Sequence, residues 1–297
     1  MRRRTMTRRQ RRRVVALARH AVLLAWTAIV VFPIWWMFVT SIKSPAEWFG
    51  WPPVWWPAEP GWENWRRVWI DGTIIGTPLY GTAVIGPLEA LVNSFVIAVG
   101  AALLALMAGT LLAWGASRHR MVSDGTLLAT LALRMVPPFV IGGPLMIWFT
   151  LIDLVDTHLG LILVYALTTF PYAALVMKSF IDDIPPDYEQ AAAMLGAQRW
   201  QVLVQIVLPL LKPGLAATFL FLFILSWSEH FLGLILSQTD VATLPMHLNR
   251  FAGNGGGHGY QAALSLGATL PLILVGLAIR RHLGRGLSFG MVGRYRR

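Results

Sequence analysis

The sequence predicts an all-α polytopic membrane protein with six transmembrane helices, and three observations support this class. The 297 residues are 56% hydrophobic and only 13% charged, which is too apolar for an ordinary soluble domain. Several apolar stretches approach the roughly 20 residues that cross about 30 Å of hydrocarbon. Strands of alternating polarity, which a transmembrane barrel requires, are not visible. The predicted spans are residues 20–42, 90–116, 125–151, 159–177, 213–236 and 262–279.

The basic residues predict the orientation of these spans. Nine arginines lie in residues 2–19, and six lie in residues 280–297. With the N-terminus inside, twenty lysines and arginines fall on inside segments and four on outside segments. The positive-inside rule therefore predicts that both termini are cytoplasmic. We expect the basic arm to contact anionic membrane lipid, and we expect no nucleic-acid partner.

The first apolar stretch is predicted to be a retained helix and not a cleaved signal peptide. It is longer than the usual apolar core of about 7–15 residues, and no small-residue cleavage pattern follows it. The predicted organisation is an Arg-rich cytoplasmic arm at 1–19, a six-helix transmembrane domain at 20–279 and a cytoplasmic tail at 280–297. A polar cytoplasmic loop at 178–212 interrupts the transmembrane domain.

The outside loop between the first two spans is rich in tryptophan. Two interpretations remain open for it: an aromatic belt folded back on the outer membrane interface, or a surface that an external partner contacts. The seven tryptophans are Trp48, Trp51, Trp55, Trp56, Trp62, Trp65 and Trp69.

Charged residues inside predicted spans are costly, and they are therefore candidate functional residues. Arg134 lies near the middle of the third span, with Pro137 and Pro138 after it, and Glu229 and His230 lie in the outer half of the fifth. Prolines bend a helix and free backbone groups, which is tolerated beside protein or a watery cavity. These side chains either pair between helices or line a cavity for a hydroxyl-rich solute.

Several functions are excluded by the absence of their motifs. The chain has no phosphate-binding Gly-x-x-x-x-Gly-Lys-[Ser/Thr] loop, and none of its three lysines has a glycine context. It has no cysteine, and its seven histidines lack ligand spacing, so no metal site is expected. We therefore expect no enzyme activity and no cofactor in this chain, and any driving energy has to come from a gradient or a partner.

The polar loop at 178–212 predicts two short helices joined by a turn. Pro185 and Pro186 precede Asp187, which is a favourable helix start. The alanines that follow favour helix and leave a small-residue face that another protein can approach. Gly196 accepts a positive φ, and Pro209 is predicted to end the second helix. The alternative is an amphipathic hairpin that lies on lipid.

This segment resembles the EAA loop of permease subunits of binding-protein-dependent ABC importers. The family pattern is Glu-Ala-Ala, three residues, Gly, nine residues, Ile, one residue, Leu-Pro. Gln190 stands at the position of the family's glutamate, and Glu189 lies one residue earlier, about 100° around the helix. The residues at the other matching intervals are Ala191, Ala192, Gly196, Ile206, Leu208 and Pro209.

Further segments resemble the carbohydrate-uptake, maltose-transporter-like branch of that family. They include Ser41-Ile-Lys43, Asn93-Ser94 and Trp227-Ser-Glu-His-Phe231. The resemblance implies the type I ABC importer permease fold, and it implies that the EAA loop is the coupling contact to an ATPase. It also places Arg134, Trp227, Glu229 and His230 as candidates for the solute path.

The implied partners are a second homologous permease subunit, a dimer of ATPase subunits that bind ATP and Mg, and an extracytoplasmic solute-binding protein. The implied location is the cytoplasmic membrane of a bacterium or archaeon. The expected solute is a sugar, a polyol or a glycerophosphate-type ester. An ABC permease for a non-sugar solute and a secondary transporter are the alternative interpretations.

Overall fold

The structure, a computed structural model, describes residues 8–71, 85–134, 136–237, 240–253 and 257–292. Regular structure in these ranges is helical throughout, which confirms the predicted all-α class. The helices are α1 (Arg8–Ser41), α2 (Glu63–Trp69), α3 (Pro87–His119), α4 (Asp124–Arg134), α5 (Pro138–Leu151), α6 (His158–Asp182), α7 (Asp187–Met194), α8 (Arg199–Val202), α9 (Leu208–Leu210), α10 (Lys212–Trp227), α11 (Phe231–Leu236), α12 (Leu244–Gly253) and α13 (His258–Val292).

Four helices of the described residues are individually long and apolar enough to cross a membrane: α1, α3, α6 and α13. α10 qualifies together with the segment Arg199–Leu210 before it, at a bend of 77°. The prediction of one continuous span over 213–236 is wrong, because α10 ends at Trp227 and α11 begins at Phe231. α13 is longer than predicted and includes residues 280–292 of the predicted tail.

The third predicted span, residues 125–151, is two shorter helices and not one. α4 ends at Arg134 and α5 begins at Pro138, while Met135 lies outside the described residues. Pro138 occupies the first position of α5, where a helix needs no N–H donor. With 11 and 14 residues, the two helices rise about 16 Å and about 21 Å, each short of the hydrocarbon thickness. The prolines therefore start a new helix instead of bending a continuous one.

The core is built on α3 and α6, which pack at close range. At their crossing, a Cβ added to Gly109 would lie 2.5 Å from Cβ of Ala173 and 2.8 Å from the backbone nitrogen of Ala174. Small side chains let two helix backbones approach in this way, which is the usual mode of helix packing in lipid. The buried alanines of α3 are Ala90, Ala98, Ala101, Ala102, Ala105, Ala113 and Ala116.

The outer loop is fastened to the end of α1 by one buried amide. Asn64 in α2 is 2% exposed, and its Nδ2 donates to the carbonyl oxygens of Ser41 at 2.9 Å and Lys43 at 2.8 Å. Trp65 Nε1 donates to Oγ of Ser41 at 3.0 Å. The last carbonyls of a helix have no partner within the helix, so the bond to the Ser41 carbonyl caps α1 and the other two fasten α2 beside its end.

The seven tryptophans of this loop divide into two groups. Trp48, Trp65 and Trp69 pack against the core, and Trp69 Nε1 donates to the carbonyl oxygen of Ala263 in α13 at 3.2 Å. The others are exposed: Trp51, Trp55, Trp56 and Trp62. The first group packs the loop on the core. The second group is largely exposed, and within it Trp55 contacts the rings of Phe32, Trp35 and Trp36 in α1.

Charged groups in the same loop have shifted pKa values. Lys43 is buried with Nζ 4.1 Å from the ring centre of Trp36, and this burial lowers the pKa of its ammonium despite the nearby Glu47. Glu47 accepts from the backbone N–H of Ala58 at 3.0 Å and from that of Ser44 at 3.1 Å. The bond from Ala58 is the main cause that lowers the pKa of the Glu47 carboxyl below 4.5.

Candidate functional site

The segment 178–212 forms the predicted hairpin of two short helices. α7 begins at Asp187, directly after the two prolines. Gly196 has a φ of 86°, a left-handed conformation that glycine adopts without a steric penalty, and its N–H donates to the carbonyl oxygen of Ala193 at 3.0 Å. α8 follows from Arg199. The prediction of helix, glycine turn and helix is confirmed.

The second half of the hairpin is less regular than the sequence predicted. A π-helical turn over Leu203–Val207 follows α8, and α9 continues to Leu210. The prediction that Pro209 ends this helix is wrong by one residue, because the helical run Arg199–Leu210 continues past Pro209 to Leu210. The chain turns instead at Leu211, where the 77° bend leads into α10.

The predicted coupling residues of the hairpin lie on two faces. Ala192, Ile206 and Leu208 lie on the inner face, half-buried against the core of the transmembrane domain. The exposed members of the set are Gln190, Ala191, Gly196 and Pro209. At the tip, Met194 is 83% exposed and Leu195 is 90% exposed. An apolar tip on a polar segment is the composition expected of a surface that docks on another protein.

Glu189, the acid displaced by one position from the EAA pattern, faces inward. Its Oε1 lies 2.5 Å from Nε of Arg118, and its Oε2 accepts from Nε1 of Trp114 at 3.1 Å. The Arg118 and Glu189 side chains are 13% and 12% exposed. The carboxylate therefore binds the end of α3 in its own chain, and the adjacent Gln190 is exposed.

Sequence reasoning counted Arg118 only as an orientation charge, and it did not single out Trp114. The structure makes both of them partners of the hairpin through Glu189. Arg118 Nη2 also donates to the carbonyl oxygens of Ile181 at 2.9 Å and Ile184 at 2.7 Å. The available signal was their spacing: residues four apart on a helix share one face, and both precede the end of α3.

The predicted solute-path residues lie in two places. Trp227, Glu229 and His230 surround the break between α10 and α11. Arg134 is the last residue of α4, and its side chain lies outside the described part of the structure. The structure therefore brings three of the four residues together.

The break at 228–230 carries polar groups in an apolar setting. Glu229 Oε1 accepts from the backbone N–H of Leu232 at 3.3 Å, which caps the start of α11. The hydroxyl of Tyr165 in α6 donates to the carbonyl oxygen of Glu229 at 3.5 Å. Trp227 is 6% exposed, and its ring lies 5.6 Å from that of Phe223. A small gap beside these groups is lined by Ser94, Ile97, Tyr165, Ser226, Trp227, Glu229, Thr243 and Pro245.

A polar network at the end opposite the hairpin joins three segments, and sequence reasoning missed it. Asp156 accepts from the backbone N–H groups of Asp240 at 2.8 Å and Val241 at 3.0 Å. Nearby, a ring nitrogen of His158 lies 2.9 Å from Oδ1 of Asn93, and Ser94 Oγ accepts from Leu244 N at 2.7 Å. The loop before α12 is thus held to α3 and to the segment just before α6.

Comparison with known proteins gives one consistent result. Residues 105–289 match the family described as binding-protein-dependent transport system inner membrane component. The chain is 30% identical over 276 residues to the trehalose/maltose transport system permease protein MalG of Thermococcus litoralis, which covers 91% of this chain and 93% of the relative. It is 28% identical over 284 residues to the diacetylchitobiose uptake system permease protein NgcG of Streptomyces coelicolor, covering 94% and 89%.

The fold has a counterpart among solved structures. A bacterial ABC transporter involved in the import of the acidic polysaccharide alginate contains a chain that superposes with a TM-score of 0.69. The match covers 93% of this chain and 98% of the other at 19% identity, and it therefore bears on the fold alone.

Proposed function

Because this chain belongs to the family of binding-protein-dependent transport system inner membrane components, we propose that it forms half of the pore of an ATP-driven importer for a sugar or a sugar-like solute. It acts as a permease subunit and not as an enzyme. The solute class rests on its relatives, whose names include permease proteins for trehalose/maltose, diacetylchitobiose and sulfoquinovosyl glycerol.

The observation that carries this proposal is the hairpin over 178–212. Its inner face packs on the transmembrane core, and Glu189 joins it to α3. Its outer face presents Gln190, Ala191 and an exposed apolar tip. This division supports a role as the contact through which an ATPase subunit moves the pore, with Met194 and Leu195 entering that contact first.

The other partners follow from the same proposal. ATP and Mg are held by a dimer of ATPase subunits, and a solute-binding protein delivers the solute at the opposite face of the cytoplasmic membrane. A second, homologous permease completes the pore. The apolar window of α1 is only 6% buried within this chain, which leaves a long face available to lipid and to that second subunit.

The solute path is proposed to pass the break between α10 and α11. Trp227 is buried against Phe223 and supports the wall of this path from behind, and Glu229 and His230 offer hydrogen-bonding groups beside it. Arg134 is retained as a further candidate. The Glu229 carboxylate already accepts a hydrogen bond from the backbone N–H of Leu232. Only its remaining acceptor positions are therefore proposed to bind the solute.

Reconstitution tests the function. The chain is purified with its second permease and ATPase subunits, placed in liposomes with the binding protein, and supplied with radiolabelled trehalose, diacetylchitobiose or methionine. We expect ATP-dependent uptake of at least one of the two sugars, and we expect vanadate to abolish it. Uptake that persists with vanadate would identify a secondary transporter, and uptake of methionine alone would identify a permease for a non-sugar solute.

A further inference from the structure

Three side chains connect α3 to the hairpin, and we call Trp114, Arg118 and Glu189 the clamp. Trp114 and Arg118 lie one turn apart on the same face of α3. Both oxygens of the Glu189 carboxylate are occupied, Oε1 by Arg118 and Oε2 by Trp114. The carboxylate is therefore committed to its own transmembrane domain, and the outward contacts of α7 are left to other residues.

Arg118 brings a third element to the same point. Its Nη2 donates to the carbonyl oxygens of Ile181 and Ile184, which lie at the end of α6 and just beyond it. The Ile181 carbonyl also accepts from the backbone N–H of Ile184 at 3.0 Å, so the guanidinium is a second donor to it. One guanidinium therefore joins the ends of α3 and α6 to the beginning of α7, a task that suits its rigid planar set of donors.

The burial of this ion pair distinguishes it from its neighbour. The Arg118 and Glu189 side chains are 13% and 12% exposed, so loss of either partner leaves the other charge with little water. Lys178 and Asp182, also at the hairpin end of α6, lie 2.6 Å apart, but Asp182 is 45% exposed. Water screens that second pair, and exposed pairs of this kind contribute little. It is a matched control for the clamp.

α3 and α6 are in close backbone contact at Gly109, so a movement of one helix displaces the other. The chain itself links the hairpin to α6 through residues 183–186 and to α10 at the bend. Neither link joins α7 to α3 directly, although α10 packs on α3 further along its length. The clamp supplies that connection, so a displacement of α7 reaches α3 directly and moves the α3–α6 pair as one body.

We propose that Arg118 and Trp114 are positioning residues that transmit hairpin movement to the α3–α6 pair during ATP-driven transport. The proposal rests on the proposed function, since it takes an ATPase as the source of the movement. It assigns to Glu189 an intramolecular role, distinct from any contact that the exposed Gln190 makes with the ATPase subunit.

A single introduced thiol tests this transmission without knowledge of the solute. The chain has no cysteine, so Ser226→Cys places one reporter at a buried site beside Trp227. The Ser226 hydroxyl makes no hydrogen bond within the described residues, which makes cysteine a close replacement. In the reconstituted complex, maleimide labelling is compared between the nucleotide-free state and the state trapped with Mg-ATP and vanadate.

The reference complex carries Ser226→Cys alone. Its labelling rate is expected to differ between the two states by about five-fold or more, the lower end of typical coupling between distant sites. With Glu189→Gln, vanadate trapping continues and the difference in labelling is strongly reduced, because only the packing of α10 on α3 is left to carry the movement. With the control Asp182→Asn, the difference stays at the reference value. A full difference in Glu189→Gln would overturn the clamp proposal, whereas a reference complex with neither trapping nor a labelling difference would contradict the proposed function itself.

Two milder variants keep the test decisive if Glu189→Gln fails to assemble. Trp114→Phe removes one donor and keeps the ring, and Arg118→Lys keeps the charge and loses the second set of bonds to the α6 carbonyls. Both are expected to assemble and to reduce the labelling difference, Arg118→Lys more strongly. Reference behaviour in both variants would overturn the proposal, because a residue needed only for folding would not change this difference in an assembled, vanadate-trapping complex.

Discussion

At the scale of single residues, one polar side chain often decides whether two segments stay together. Asn64 is such a residue, because its amide nitrogen serves two carbonyl oxygens at the end of α1 in a place that water barely reaches. A buried carbonyl without a donor destabilises the fold, because it has lost its hydrogen bonds to water. Removing the Asn64 amide is therefore expected to cost more free energy than the net value of two hydrogen bonds.

Asn64→Ala is expected to lower the free energy of unfolding by about 1–3 kcal/mol, because it leaves those carbonyls unpaired. Asn64→Asp should cost more, since a carboxylate offers no donor and repels the carbonyl oxygens. Thermal unfolding in detergent measures both, with Glu59→Ala as an exposed control in the same loop. An Asn64→Asp protein as stable as the wild type would contradict this role.

Two adjacent alanines of α7 are expected to respond differently to the same substitution. Ala192→Trp forces a large ring against the core and should destabilise the permease by about 1–3 kcal/mol even without partners. Ala193 is exposed, so Ala193→Trp should leave the stability unchanged and block association with the ATPase subunits. Thermal unfolding and co-purification separate the two effects, and identical behaviour of the two variants would refute the assignment of the two faces.

At the scale of elements, the α3–α6 pair is the part of the fold with the least tolerance. Its close approach depends on the absence of a side chain at Gly109, next to the backbone of α6. Backbone atoms cannot rotate out of the way as a side chain can, so any addition here has to move a whole helix.

Gly109→Ala is therefore expected to destabilise the protein by about 1–3 kcal/mol, although alanine is normally the better helix former. Gly143→Ala in α5 is the control, because nothing lies within 4 Å of an added Cβ there. Thermal unfolding should rank Gly109→Ala below wild type and Gly143→Ala at or above it. The reverse order would show that the two helices are free to separate.

The outer loop should have a pH-dependent stability that originates at Glu47. Because folding lowers the pKa of this carboxyl, its contribution is fully present above pH 4.5 and is lost as the pH falls through the lower folded value. The difference in unfolding temperature between wild type and Glu47→Gln should therefore be constant above pH 4.5 and shrink below it. Glu59→Gln serves as the control, and a difference that grows on acidification would contradict the sign.

At the scale of the whole molecule, the sequence predicts the fold class well because apolar content and span length are properties of the chain alone. The hairpin is equally predictable, since Asp187 and Gly196 act locally. The broken third span is not: its prolines at 137 and 138 are compatible with a bent helix and with a new one. The clamp also cannot be predicted from the sequence, because 71 residues separate Arg118 from Glu189 and only the packing of α3 on α6 brings them together.

The predicted orientation of the whole molecule can be measured with single cysteines. Trp51 and Leu195 are 89% and 90% exposed, on the outer loop and on the hairpin tip. A membrane-impermeant maleimide added to intact cells should label Trp51→Cys and spare Leu195→Cys until the cells are opened. The opposite pattern would reverse the predicted topology.

The split between α4 and α5 has a consequence for biogenesis. A translocon receives residues 125–151 as one apolar stretch, but neither half alone crosses the bilayer. The surface beside α5 is completed by α11, where the Ile235 side chain occupies the space next to Gly142, and α11 is synthesised roughly 90 residues later. A nascent chain that ends before Phe231 therefore presents α5 without its neighbour, and we expect the final packing of this segment to follow the synthesis of a distant part of the same polypeptide.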